Sequence, residues 1–291
     1  MYSLDDISND IKSKFTPEYF ERMRIVTYNE DRAYPENFSN WYNCIEDFGN
    51  FKHAEIISNQ ILQLNETFLL EQEFYNRVDK DKLKDALQPT IQKMIPNRQY
   101  SLKNGCFSNK FDFNESIVTT DTLCEKLWKL NYNSTLLDTG GFTEVVVREL
   151  IPYNYLNTCT IYNGLPLREE IRVFYNFNND TIEYMVDYWD YLYCHSKLGL
   201  TDKIVFDWYT HSSNKYEYLK ELKQFILDNI HTLRFNDNLK GIWSIDFMLC
   251  RNMPDPISGV YLIDMARGYR SAYWDYNRLS EYGKKVANIM N

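Results

Sequence analysis

Histidine is scarce in this 291-residue chain, and its cysteines are never closely paired. The four histidines (His53, His195, His211 and His231) are widely dispersed, which argues against a histidine-built metal cluster. Cys44, Cys106, Cys124, Cys159, Cys194 and Cys250 include no C-x-x-C pair. Zinc binding and dithiol redox chemistry therefore have no motif behind them, and free thiols in a reducing compartment are the expectation. No run approaches the ~18 apolar residues of a membrane span. The opening Met1-Tyr2-Ser3-Leu4-Asp5-Asp6 is acidic and has no apolar stretch of the signal-peptide kind, so a cytoplasmic protein is expected. Positive charge is also short: the net charge of −9 argues against non-specific nucleic-acid binding by the surface as a whole, leaving only a local basic groove open. There is no G-x-x-x-x-G-K-[ST] phosphate loop, no internal repeat and no low-complexity tract. Regular βαβ alternation is missing too, which excludes a doubly wound parallel sheet.

What the chain does have is aromatic mass. Its 24 Tyr, 17 Phe and 6 Trp are ample for one large core or two smaller ones, so a folded chain is expected. Residues 1–96 read as mainly helical. Ile7 to Ile11 form a short amphipathic segment, and Thr16-Pro17-Glu18 gives an N-cap, a first-turn proline and an acid. Trp41, Tyr42, Ile45 and Phe48 are spaced for one helical face, and residues 66–95 read as one or two further helices.

From residue 97 the texture turns to strands. Gln99 to Lys103 and Phe111 to Phe113 flank a compact turn, Asn104 to Lys110, and a helix is expected over Thr120 to Leu130 with Thr120 or Asp121 as cap. Thr143 to Ile151 is a β run stopped by Pro152. Thr158 to Tyr162, Glu169 to Phe177 and Thr181 to Trp189 are further strands, the last two joined by the turn Asn178-Asn179-Asp180. Apolar residues at 219, 222, 226, 230 and 233 mark a helix. Two more strands close the series, separated by the loop Asn252 to Gly259.

Those last strands carry the chemistry. Trp243 to Leu249 and Val260 to Ala266 each hold one aspartate, Asp246 and Asp264, among large apolar residues. A carboxylate in a buried strand needs a cation or a dense set of donors. Two of them on a hairpin suit a shared Mg²⁺, which uses one or two carboxylates with phosphate oxygens; the alternative is a pair of aspartates holding amides or arginines. Lys103 and Lys110 stand at the two ends of the small turn, placed to neutralise phosphoryl oxygens if the turn covers a phosphate. Glu149 and Leu150 end the strongest β run, where an exposed edge can present backbone groups to a flat base. Arg172 shares a strand face with Glu170, which suits either phosphate recognition or a structural ion pair. Arg267 and Arg270 follow Asp264 closely and can hold an anion or lie on the surface.

In order, these segments resemble the ATP-grasp superfamily over about residues 97–278. The most similar branch is that of the chaperones that assemble the eukaryotic initiation factor two complex, with related bacterial and viral proteins. Tyr100-Ser101-Leu102-Lys103-Asn104 resembles the branch's lysine strand, and Val146-Val147-Arg148-Glu149-Leu150-Ile151-Pro152 its hinge strand. Glu170-Ile171-Arg172-Val173-Phe174 resembles its Glu-Phe-Arg strand, and Ser244-Ile245-Asp246-Phe247 with Leu262-Ile263-Asp264 its paired metal strands, followed by the aromatic Trp274. The resemblance implies an α+β fold in which two antiparallel sheets with helices sandwich ATP, preceded by a mainly helical region: 1–96, then an ATP-grasp domain over 97–291. It implies Lys103, Lys110, Arg148, Glu149 and Leu150 as ATP contacts, Asp246 and Asp264 as Mg²⁺ ligands, and Arg172 and Arg267 as catalytic groups. One departure stands out: Ala266 occupies the place of the pattern's asparagine and cannot ligate a metal through its side chain. The implied function is an ATP-dependent carboxylate–amine ligase working through an acyl phosphate. The alternative is an ATP-binding assembly chaperone that grips a protein partner.

Overall fold

The computed structural model describes residues 16–73, 80–137, 143–151, 160–189, 215–252 and 255–274. The segment Ile7 to Ile11, Pro152, Cys159, Cys194, His195 and His211 lie outside these residues.

The first helix, α1 (Pro17–Arg32), starts as its sequence predicts: the Thr16 hydroxyl accepts the Tyr19 N–H at 3.2 Å and Pro17 stands at the first helical position. The helix expected through Phe48 is shorter. It forms only as α2 (Phe38–Tyr42), after which the backbone extends into β1 (Ile45–Asp47). Pairing decides this outcome, because β1 is matched antiparallel to the distant β10 (Arg234–Phe235). A second strand, β2 (Ile56–Ile61), also lies in the region expected to be helical. The expected helices follow as α3 (Leu64–Glu73), α4 (Lys80–Ala86) and α5 (Gln88–Ile91).

Strand β3 (Tyr100–Asn104) appears where expected, but Phe111 to Phe113 do not extend it. They belong to a 3₁₀ turn, Lys110–Ser116, entered through Asn109 in the left-handed region (φ 44°) and followed by the short β4 (Ile117–Val118). Helix α6 runs over Leu123–Leu136, later than expected, with Thr122 at its N-cap and the Thr122 hydroxyl held by the Thr119 N–H. Then come β5 (Glu144–Glu149), the small hairpin β6 (Thr160–Ile161) and β7 (Leu165–Pro166), then β8 (Glu170–Asn176) and β9 (Thr181–Asp187). Helix α7 (Lys215–Asn229) precedes the closing hairpin of β11 (Ile242–Asn252) and β12 (Asp255–Arg267). The loop expected over Asn252 to Gly259 is largely strand: the two arms pair as far as Asn252 and Asp255.

Two four-stranded antiparallel sheets result, in the orders β2-β5-β3-β4 and β12-β11-β8-β9. Pairing of β2 with β5 places a strand from before residue 96 in the same sheet as β3. Helices α4 and α6 cover the outer face of the first sheet, where Leu83, Leu87, Leu123 and Leu127 meet Leu102, Val145 and Val147. The other core joins α2 (Phe38, Trp41) and Val146 to the apolar face of the second sheet and to Leu219, Leu222 and Ile226 of α7. The chain is thus mixed α and β with antiparallel sheets. No helix among the described residues is long and apolar enough to cross a membrane.

Candidate functional site

Strand period two builds the site. In β5, Val145 and Val147 enter the helix-covered core, so Glu144, Val146 and Arg148 point the other way. In β3, Tyr100 and Leu102 do the same, which turns Ser101 and Lys103 towards the second sheet. In β8, Ile171, Val173 and Tyr175 are core, so Glu170 and Arg172 share the opposite face with Asp246 and Met248 of β11. Strict alternation would place Asp264 beside Leu262 on the core face of β12. A bulge prevents this. Asp246 pairs with Asp264 but Phe247 pairs with Leu262, so Ile263 is the extra residue. Leu262 and Met265 both reach the core, and Asp264 turns out beside Asp246.

The resulting cavity holds about 140 Å³, space for on the order of ten waters. Its walls include Lys110, Arg148, Arg168, Glu170, Asp246 and Asp264, with an apolar rim from Leu150, Leu165 and Pro166. Each aspartate is matched by a cation of the chain itself. Arg172 donates to both oxygens of Asp246 at 2.7 Å (Nε to Oδ1, Nη2 to Oδ2), and its Nη1 donates to the Ala272 carbonyl at 3.2 Å. Lys103 Nζ donates to Asp264 Oδ1 at 2.9 Å, while the Met265 N–H reaches the same oxygen at 3.1 Å. The Lys103 ammonium also lies over the rings of Phe38 (5.7 Å) and Trp41 (5.9 Å), so its charge is solvated by aromatic faces. Burial pushes the Asp264 carboxyl up, but Lys103 and Arg148 outweigh it and hold the group below its ordinary range.

Lys110 is placed differently. Its ammonium donates to the Tyr188 hydroxyl and sits 4.6 Å from that ring's centre, while the Arg172 guanidinium lies 4.5 Å from the same ring. Burial, and then the nearby Arg172 charge, push the Lys110 ammonium below its usual range. Lys110 lines the cavity itself, while Arg172, engaged with both oxygens of Asp246, lies behind its wall. Arg148 donates to the Ile263 carbonyl at 2.8 Å, which ties the first sheet to the bulge of the second.

The structure therefore brings Lys103, Lys110, Arg148, Glu149, Leu150, Arg172, Asp246 and Asp264 to one place, in or against one cavity. Glu149 pairs with Arg98 at 3.6 Å, and its backbone N–H is taken by the Glu55 carbonyl at 2.8 Å. Arg267 lies apart from these groups: its guanidinium is 3.9 Å from the buried Glu36 and donates to the Tyr269 hydroxyl at 3.2 Å. Arg168, Glu170, Tyr188 and Trp189 belong to the cavity wall although they were not among the expected site residues. The period-two series Arg168, Glu170, Arg172 was a usable signal for the first two. Tyr188 and Trp189, at the end of β9, carried none.

Among the described residues no group of three or more His, Cys, Asp or Glu side chains is arranged to hold a metal ion. No known protein-family model matches this chain, and no curated protein matches it in sequence.

Proposed function

We propose that this chain binds Mg-ATP between its two antiparallel sheets, in the ATP-grasp manner. We further propose that it uses ATP to join a carboxylate to an amine through an acyl phosphate. The carrying observation is the convergence of Lys110, Arg148 and Arg168 on one cavity, with Lys103 and Arg172 directly behind its two aspartates. Buried cations of this density favour a polyanion, because the protein interior screens their charge poorly. The apolar rim at Leu150, Leu165 and Pro166 suits a base at the other end of the cavity.

The donor set accommodates one hard cation carried in with the phosphates. Asp264 uses Oδ1 for Lys103 and the Met265 N–H, which leaves Oδ2 on the carboxylate side away from those donors. Asp246, held on both oxygens by Arg172, would give up one hydrogen bond to share in it. Bound there, Mg²⁺ would neutralise charge on transferring phosphoryl oxygens. Lys110 and Arg148 would orient the phosphates, and Arg172 would position Asp246. A second reading, ATP-supported gripping of a protein partner without ligase chemistry, draws on Ala266, which offers no side-chain ligand where it pairs with Ser244.

Calorimetric titration of Mg-ATP into the full chain tests the first step. Lys110→Ala should weaken binding about tenfold or more, the loss of one charge-assisted contact of 1.5–3 kcal/mol at most. Unchanged affinity would remove Lys110 from the site. ADP release that appears only when a carboxylate pool and hydroxylamine are both present supports the ligase. Tight binding with no ADP formed under any such addition supports the chaperone-like reading.

A further inference from the structure

Four carboxylates line the cavity, and three have a cation of their own: Arg98 for Glu149, Arg172 for Asp246 and Lys103 for Asp264. Glu170 is the exception: among the described residues no side-chain cation forms an ion pair with it. It is 8% exposed, fixed on β8 opposite Met248, and its backbone carbonyl accepts the Tyr188 N–H at 2.9 Å. An anion entering this cavity meets three neutralised acids and one that is not.

We propose that Glu170 takes up a proton when a polyphosphate enters the cavity, which couples anion binding to pH through this one carboxyl. The coupling rests on reading the cavity as a phosphate site. The groups around Glu170 are Lys110 from the 3₁₀ turn, Arg168 and Arg172 from around and within β8, Asp246 from β11, Asp264 from β12, and Tyr188 and Trp189 after β9. Burial pushes its carboxyl up to about 7; Asp246 adds to this, while the Trp189 side chain, Lys110 and Arg168 pull the other way. Negative charge brought close favours the protonated form further, so the shift on binding is upward. Below pH 6 the carboxyl is already protonated and nothing is taken up. Above 7 it is ionised in the free protein, so binding draws in a proton and weakens as pH rises.

The test uses tripolyphosphate without metal, and Mg-ATP, titrated into the full chain by calorimetry. Buffers of different ionisation heat at pH 8 report the protons taken up. The wild type should gain up to about one proton more per bound tripolyphosphate than Glu170→Gln. The variant should bind at least as tightly at pH 8. The ratio of the two affinities should change by up to roughly tenfold per pH unit above 7, and protonation of the probe cancels in that ratio. Glu170 itself helps to hold the Lys110 ammonium up, so the two proteins are compared again in a Lys110→Arg background, where the guanidinium stays charged throughout and only Glu170 can account for a difference. If Glu170→Gln does not fold, difference infrared spectra of the wild type labelled with ¹³C-carboxyl glutamate take its place. A protonated glutamate band gained on adding tripolyphosphate supports the coupling, and its absence overturns it. Binding with equal proton uptake in wild type and variant overturns the coupling alone. Failure of both probes to bind overturns the nucleotide reading and the coupling with it.

Discussion

Arg172 and Asp246 are both nearly closed off from water, at 9% exposure each, and meet through two parallel hydrogen bonds. Desolvation of such a pair roughly offsets its attraction, so its net stabilisation is small, but removing one partner leaves the other charge buried and unmatched. Arg172→Met should therefore destabilise the chain by about 3–5 kcal/mol. Arg172→Met combined with Asp246→Leu should recover most of that loss, since no buried charge remains. Urea denaturation of the two single variants and the double variant checks this, and a double variant no better than Arg172→Met alone would show that the pair is not the source. The sequence made the burial problem at Asp246 legible, because an acid among Trp243, Ile245, Phe247 and Leu249 has to find a cation or a dense set of donors. It did not name the cation. Glu170, on the same strand face, was the local candidate for Arg172, and the actual partner comes from the neighbouring strand, which only register supplies.

At the scale of elements, the β6–β7 hairpin shows how much a small turn can carry. Tyr162, Asn163 and Gly164 all have positive φ (46°, 52° and 104°), and the Phe113 and Asn114 N–H groups donate to the carbonyls of Tyr162 and Asn163 at 3.0 Å. The hairpin thereby seats Leu165 and Pro166 against the cavity. A Cβ added at Gly164 would stand 2.5 Å from Asn114 Oδ1, on a backbone that side chains rarely adopt. Gly164→Ala should cost about 1–3 kcal/mol and shift the apolar rim. Thermal melting and Mg-ATP affinity measured together check both effects; an unchanged melting temperature would mean that the hairpin bears no strain. Strands β3, β5, β8, β9, β11 and β12 were legible from β-branched and aromatic runs. The stretches that went the other way, Ile45–Asp47 and Phe111–Phe113, are short, and for them a distant partner or a left-handed entry outweighs local pattern.

At the scale of the whole molecule, one core cluster reaches from Phe38 and Trp41 through Val146 to Met265, and β2 pairs with β5 from Ile56 to Ile61. Phe38 and Trp41 also form the aromatic bed under Lys103, so the N-terminal segment contributes to the site as well as to the core. A chain beginning at residue 97 would expose Val146 and the β2-facing edge of β5 and leave Lys103 without its rings. It should fail to give a cooperative thermal transition by circular dichroism. A cooperative melt with native-like far-ultraviolet signal would show that residues 97–291 fold alone.

Residue types and their spacing by themselves determined a mixed, antiparallel-rich fold, the start of α1, the principal strands, and most of the charged residues that meet at the cavity. Those features depend on neighbours within a few positions, where period and propensity act. Tertiary structure alone decided that Arg172 and Lys103 answer the two aspartates, that a bulge at Ile263 turns Asp264 towards Asp246, and that Glu170 is left without an ion pair. Each of those depends on register between strands far apart in the chain. A one-residue slip there moves every side chain to the other face without changing the local pattern.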